Sequence, residues 1–307
     1  VHIVSQEQVG ILRRGYIMDT VNYRRYKVRN IRKTVIVFLR HCIISLLALF
    51  FLLPIIVLLT RSVMSPDDIY QVPTLLFPTK LDFSGYTKAF DDQILSYLWN
   101  TIIVVGVNTV FVPLTCLMCG YGFTKVRFPG RGICFSLLLS TIMIPGIAMQ
   151  IPLYIVYYHL GLTNSLWPLM ITAFFGGGAM SIFFMRQYLK GIPDSILEAA
   201  RVDGANAFII MFKIMLPLAR PVVVLTAVNV FIGQYNDYGT PLIYIWNEKY
   251  YTLSVGLYYK YLAPGAQSID ANVQYSAGVM VMLPLVVIFA FFQKQLINGI
   301  VTSGMKL

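Results

Sequence analysis

Residues 198–217, EAARVDGANAFIIMFKIMLP, place a polar, glycine-broken helical loop between two long apolar runs. On a membrane protein a loop this elaborate is usually a docking surface. Ile192 and Pro193 close the preceding run. Pro193, with φ preset, and then Asp194 and Ser195, whose side chains can accept from orphan amide N–H groups, supply helix-start chemistry. In the short helix this predicts, Ile196, Leu197, Ala199 and Ala200 gather on one apolar face, with Asp194, Glu198 and Arg201 towards the other. Gly204 permits a reversal that a Cβ would resist, and a second helical run, 205–215, leads into Pro217. Two readings stay open on these residues alone. One is an amphipathic helix lying on lipid headgroups; the other is a helix made for a protein partner, favoured because an alanine-rich face anchors poorly in lipid.

Composition sets the compartment. The chain has 307 residues, of which 57% are hydrophobic and 12% charged, and a mean hydropathy of +0.70, far from the balance of a soluble domain. Apolar stretches at 34–60, 97–122, 133–157, 163–188, 214–236 and 275–296 each approach the about 20 helical residues needed to cross roughly 30 Å of hydrocarbon. The fold class is therefore all-α, a polytopic membrane protein with six transmembrane helices. The first stretch is too long and too far along the chain for a cleaved leader, and no small-residue cleavage site follows it.

Lys and Arg distribute unevenly between alternate loops, which tracks the side that stays in the cytoplasm. Arg13, Arg14, Arg24, Arg25, Lys27, Arg29, Arg32 and Lys33 precede the first span. Lys125, Arg127 and Arg131 lie in the second loop, and Arg186, Lys190, Arg201 and Lys213 in or beside the fourth; Lys294 and Lys306 follow the last span. The first and fifth loops instead mix acids (Asp67, Asp68, Asp82, Asp91, Asp92; Glu248, Asp270) with few cations. Both termini and the Glu198 loop are thus expected in the cytoplasm. The net charge of +11 is mostly this signal, and its spread over several loops argues against a nucleic-acid partner.

Four segments are expected: a basic cytoplasmic arm, 1–33, with Met18 just ahead of its basic run as an alternative start; a first transmembrane helix and outer loop, 34–96; a five-helix core, 97–297, containing the loop 190–217; and a cytoplasmic tail, 298–307. Cys42, Cys116, Cys119 and Cys134 fall in or beside spans and read as small packing residues. The C-x-x-C at Cys116 and Cys119 has no second ligand pair, so no metal is expected. There is no GxxxxGK[ST] phosphate loop, no HExxH and no GxSxG, and His2, His41 and His159 share no spacing that suggests a site. Carboxylates avoid the spans almost entirely, unlike an ion-coupled secondary transporter.

Glu198-Ala199-Ala200, three residues, Gly204, nine residues, then Ile214-x-Leu216-Pro217 matches without a gap the EAA signature of binding-protein-dependent ABC importer permeases. The wider EAARVDGA and LPLARP resemble the carbohydrate-uptake branch, related to the six-span maltose permease subunit, and within it the oligosaccharide permeases of the LplC and YtcP type. WNT at 99–101, RFPGR at 127–131, QYNDYGTPL at 234–242 and QKQLINGIVTSGMK near the end agree; the terminal SGMKL departs from the more usual small-residue and glycine ending.

That resemblance implies a type I ABC importer permease fold in a bacterial inner membrane, and a subunit that is not itself an enzyme. Its partners would be a second homologous permease, a cytoplasmic ABC ATPase dimer that binds the ATP and magnesium, and an extracytoplasmic sugar-binding protein. It implies that Glu198, Ala199, Ala200, Asp203 and Gly204 couple to the ATPase. It also makes the aromatic fifth loop, with Trp246, Tyr258, Pro264 and Gly265, a contact for the docked binding protein; an interfacial aromatic belt is the alternative. Gln234, Asn236 and Asp237 could hydrogen-bond sugar hydroxyls, and Tyr235 and Tyr238 could stack on sugar rings; equally, they could cap the span or bond its neighbours. Gly176, Gly177 and Gly178 read most simply as close helix packing or a local break. An amino-acid or peptide importer is the alternative within the same mechanism.

Overall fold

A computed structural model describes residues 35–73, 75–264 and 270–304. The expected arm, 1–33, Gly265, and Lys306 of the tail lie outside them. Inside a bilayer every backbone N–H and C=O must find its partner within the protein, and the described residues form helices and no strand. The chain divides into a unit Val1–Thr60 and a unit Arg61–Leu307. The described part of the first lies in α1 (Val35–Ser62), 28 residues long and strongly apolar.

The second unit opens with two short helices, α2 (Pro66–Tyr70) and α3 (Ser84–Ala89). Ser65 caps α2 by accepting from the Asp68 N–H at 3.2 Å. Asp68 in turn accepts from the backbone and hydroxyl of Thr79 at 3.0 and 2.9 Å, so this acid- and proline-rich excursion is folded on itself. α3 packs on α15 (Ala271–Gly304) because Gly85 has no side chain: a Cβ there would stand 2.6 Å from Ser276 Oγ and 2.8 Å from Asn272 O.

The axis of the unit is α4 (Asp92–Lys125), 34 residues, started by Asp91, whose side chain accepts from the Ile94 N–H at 2.9 Å. Next come α5 (Arg131–Ser140), a 3-10 turn Thr141–Met143 and α6 (Gly146–His159). The third apolar stretch is thus not one straight span but two pieces bent by 104°. The cause is local: Pro145 excludes its predecessor from helical backbone, and Ile144 is extended at φ −82°, ψ 118°.

The fourth stretch is also irregular. α7 (Trp167–Met170) passes into a 3-10 segment, Ile171–Phe175, then three glycines with φ of 87°, 61° and 117°, then α8 (Ala179–Lys190). Close packing and a local break, the two readings of these glycines, coexist here. Gly177 lies against Val112 of α4 where a Cβ would overlap the valine, and Gly120 of α4 admits Met185, whose Cγ would stand 2.9 Å from an added Cβ. In lipid the attraction between helices comes from such close packing and from hydrogen bonds.

After α9 (Asp194–Val202), the fifth stretch runs through α10 (Ala207–Ile209), a π-helical turn Ile210–Met215 and α11 (Leu216–Leu218), then bends by 78° into α12 (Arg220–Tyr235). α13 (Gly239–Tyr244), a 3-10 turn Glu248–Tyr250 and α14 (Leu253–Tyr261) precede α15. Among the described residues four segments are long and apolar enough to span a membrane, and six if each bent pair is one span. α4 supplies residues to each of three buried clusters, around Leu117, Tyr97 and Val104.

Candidate functional site

α9 buries a narrow strip. Leu197 and Ala200 face the cluster that also holds Leu117, Leu189 and Met215, while Ile196 and Ala199, expected on the same face, are exposed. The helix touches the core only through positions three apart, and its neighbours Glu198, Ala199, Arg201, Val202 and Asp203 stay outside; Val202 is 87% exposed. The expected side-chain cap is also absent. Pro193 occupies the cap position without a side-chain bond, and Asp194 instead accepts from Lys125 Nζ at 2.6 Å. The same ammonium donates to Ile192 O at 2.6 Å, so the last residue of α4 holds the entry to the loop. Asp194 lies in the first helical turn, where a carboxylate also complements the helix dipole.

The exit is fixed by backbone. Gly204 has φ of 82°; its N–H donates to Arg201 O at 3.0 Å and the Ala205 N–H donates to Ala200 O at 2.9 Å. These are the paired bonds of a Schellman turn, which needs a left-handed residue at the position after the cap. Asn206 then starts α10 by accepting from the Ile209 N–H at 2.9 Å. The motif's spacing therefore has a geometric meaning. Ala200 is both a buried contact and the carbonyl that closes the turn, and Gly204 makes the turn. The π-helical turn beyond it inserts one extra residue per turn, a distortion that recurs at functional sites, and it buries Ile210, Met211 and Met215 while Phe208 is left exposed.

Two arginines complete this end. Arg131 donates to Val126 O at 3.1 Å, and Arg186 donates to Phe123 O at 3.3 Å and stacks over Phe135, 3.9 Å from its centroid. Cations at a helix C-terminus neutralise its orphan carbonyls and dipole. The Lys125 hydrogen bond and charge hold the Asp194 carboxyl below its ordinary 3.8. A depressed carboxylate pKa adds stability that is complete above the ordinary value and fades as pH falls through the lowered one. Lys125→Met is therefore expected to raise the pH at which Asp194 titrates, towards 3.8, as read by carboxyl NMR or infrared titration; an unchanged titration would contradict the contact.

At the opposite end of α4, Gln93, Tyr97, Asn100 and Thr101 stitch residues 248–253 to the helix. Tyr97 and Gln93 donate to Glu248 Oε1 at 2.6 and 3.1 Å; Asn100 Nδ2 donates to Lys249 O and Tyr251 O at 2.9 and 3.0 Å; Thr101 Oγ1 accepts from the Leu253 N–H at 2.7 Å. Asn100 and Thr101 belong to the WNT motif, which the sequence marked only as a resemblance. The readable signal was polar residues at helical spacing in an apolar run. Nearby, Lys260 pairs with Asp91, and Lys88 with Asp270 at 2.9 Å.

Trp246 is half exposed, and Asn164 Oδ1 accepts from its N–H at 2.8 Å. Tyr258 packs edge-on against Tyr238, 5.1 Å between centroids, and Pro264 is exposed. At the end of α12, Tyr235 is buried and donates to Val281 O of α15 at 3.0 Å. Asn236 donates to Ile232 O of its own helix at 2.9 Å, and Asp237 accepts from the Thr240 N–H at 3.0 Å to start α13. Of the five proposed sugar-contacting residues, Tyr235, Asn236, Asp237 and Tyr238 thus have partners within the fold; Gln234 lies beside them, partly exposed.

Residues 112–301 match the family described as binding-protein-dependent transport system inner membrane component. The chain belongs to that family. It is a multi-pass membrane permease subunit of a binding-protein-dependent transport system. Its relatives include the arabinooligosaccharides transport system permease protein AraQ of Bacillus subtilis (strain 168), 32% identical over 85% of this chain and 92% of that protein. Another is the diacetylchitobiose uptake system permease protein NgcG of Streptomyces coelicolor, 28% identical over 86% and 87%. Among solved structures, a chain of a bacterial ABC transporter involved in the import of the acidic polysaccharide alginate superposes with a TM-score of 0.74 at 24% identity, covering 96% of this permease and 99% of that chain. The permease therefore has the ABC importer fold that the EAA segment implied.

Proposed function

We propose that this permease is half of the translocation pathway of an ATP-driven oligosaccharide importer, paired with a second, homologous permease and driven by a cytoplasmic ATPase dimer docked on the Glu198 loop. The observation that carries the coupling role is the α9 surface: Glu198, Ala199, Val202 and Asp203 face outward from a helix fixed at its entry by Lys125 and at its exit by the Gly204 turn. A rigid, outward-facing helix with small and acidic residues suits insertion into a groove on a basic-lined partner. The ATP and magnesium belong to that partner, and this subunit performs no chemistry. Both termini lie on the same side as the loop, following the Lys and Arg bias.

The substrate class rests on the relatives, among them permeases for arabinooligosaccharides and galactooligosaccharides. On the opposite face Trp246, Tyr258 and the segment around Pro264 meet the sugar-binding protein. Gln234, Tyr235, Asn236 and Asp237 form the rim of the path at the end of α12, with Gln234 the member whose side chain is open to a hydroxyl.

The test is purification of the tagged permease from its native membrane with and without ATP-trapping vanadate, followed by mass spectrometry of the proteins and of any small molecule retained by the binding protein. A second permease, an ATPase and a binding protein holding a sugar oligomer are expected. A binding protein holding an amino acid or peptide would overturn the substrate class, and recovery of this chain without an ATPase would overturn the mechanism.

A further inference from the structure

α4 reaches from the Glu198 loop to the opposite face and is bonded at both ends, through Lys125 to residues 192 and 194 and through Gln93, Tyr97, Asn100 and Thr101 to residues 248–253. Between these ends stands Pro113, fully buried. A proline within a helix removes the bond that its N–H would give to the carbonyl four residues back, here Thr109 O, and is a usual place for a helix to bend. A helix meant to carry displacement between two faces is weakest there.

The weak point is bracketed. Five residues before Pro113, Asn108 Nδ2 donates to Leu169 O at 2.9 Å; two residues after it, Thr115 Oγ1 lies 2.7 Å from both Ala173 O and Phe111 O, its single proton shared between the fourth stretch and its own helix, and Cys116 Sγ donates to Gly176 O at 2.8 Å. Leu169 lies in α7, whereas Ala173 and Gly176 lie beyond it, where the fourth stretch leaves α-helical geometry through the 3-10 segment Ile171–Phe175 and the positive-φ glycines. Gly177 brings that backbone against Val112, the residue beside the proline. Asn108 is buried and Thr115 partly so, and in hydrocarbon such polar bonds have no water to replace them.

We propose that Asn108 and Thr115 are positioning residues that splint α4 across Pro113 against segment 167–178, so that movement imposed at the Glu198 loop reaches the contacts with residues 248–253 as movement of one piece. This rests on the coupling role proposed above for the Glu198 loop. The broken fourth stretch is then a brace whose irregular backbone exposes carbonyls to α4, and its departure from helix is what lets it hold the proline.

A purely structural role for the same bonds predicts loss of stability alone. The splint predicts more: once Pro113 is replaced by alanine and the Thr109 O bond restored, the splint becomes dispensable. The experiment uses the whole complex in proteoliposomes and reads phosphate release with and without the co-purified binding protein. Thr115→Val and Asn108→Leu are each expected to lower the stimulated-to-basal ratio at least about fivefold, the lower range for coupling between sites, with the ATPase still co-purifying. Adding Pro113→Ala to each is expected to return the ratio to within about twofold of wild type. Unchanged stimulation in both single variants would overturn the proposal, as would failure of Pro113→Ala to restore it. If Asn108→Leu does not assemble, the Thr115→Val pair decides alone. A wild-type complex that the binding protein does not stimulate contradicts the importer reading itself, and the splint with it; stimulation in wild type that survives in the variants contradicts the splint only.

Discussion

Gly204→Val is expected to leave the permease inserted in the membrane and to lower ATP-driven uptake by about tenfold or more, within the range seen for coupling between sites. Gly204 has φ of 82°, and a Cβ built there meets nothing within 4 Å. Crowding inside this chain is therefore not the cause. The cost is conformational: a left-handed backbone costs an L-residue roughly 1–2 kcal/mol, and a β-branched residue is an outlier there. Relieving that strain opens the turn, so that Ala200 O and Arg201 O lose the N–H donors at 2.9 and 3.0 Å, and α9 loses its fixed direction. Gly204→Asn separates the causes, since asparagine tolerates this backbone and adds no charge. It is expected to stay close to wild type. Gly204→Asp keeps the tolerated backbone but sets a further negative charge beside Asp203 on the docking face, and is expected to impair ATPase recovery or coupling. An asparagine variant as damaged as the valine one, or normal stimulated ATP turnover in the aspartate variant, would contradict the account.

Gly256→Val carries the second large effect, at the other end of α4. The Gly256 Cα lies so close to the Tyr97 ring that an added Cβ would overlap it. Tyr97 is buried and donates its hydroxyl to Glu248 at 2.6 Å, so the ring cannot swing aside without leaving that carboxylate. Overpacking a core site costs about 1–3 kcal/mol, and losing a hydrogen bond to a charged group adds about 1.5–3 kcal/mol. The variant is expected to have a lower midpoint of thermal unfolding in detergent, to retain the ATPase on co-purification, and to lose most stimulation by the binding protein. An unchanged midpoint with full stimulation would show that α14 does not depend on this close approach.

The six apolar stretches were legible because span length is set by bilayer thickness, which composition records directly. Their interruptions were partly legible. Pro145 with Gly146 and the triple glycine at 176–178 are punctuation, yet in a run that is apolar on every side, periodicity does not say whether such residues bend a span, break it or admit a neighbour. The Glu198 loop was readable in its spacing, since a Schellman turn calls for a residue at ease with positive φ whatever the surroundings, and glycine is the usual one. The facing of Ile196 and Ala199 was not, because α9 meets the core along a strip narrower than its apolar sequence. Asp194 was misassigned as a cap since its partner, Lys125, lies 69 residues away in sequence, and no local rule pairs them. Among the rim residues, Asn236 and Asp237 read as hydroxyl binders and Tyr235 as a ring that could stack on a sugar, or all as caps and neighbours' partners; their bonds to α12, α13 and α15 have no local pattern in the sequence. The polar residues of α4 at 100, 101, 108 and 115 were the strongest overlooked signal: a buried polar side chain in an apolar span demands a partner.

The most direct measurement places a photo-crosslinking amino acid at Val202, 87% exposed on α9, and illuminates intact membranes. The account predicts a covalent adduct to an ATPase subunit carrying its own phosphate-binding loop, altered by ATP-trapping vanadate and lost in Gly204→Val. An adduct formed with lipid alone would make α9 an interfacial helix and contradict the coupling role.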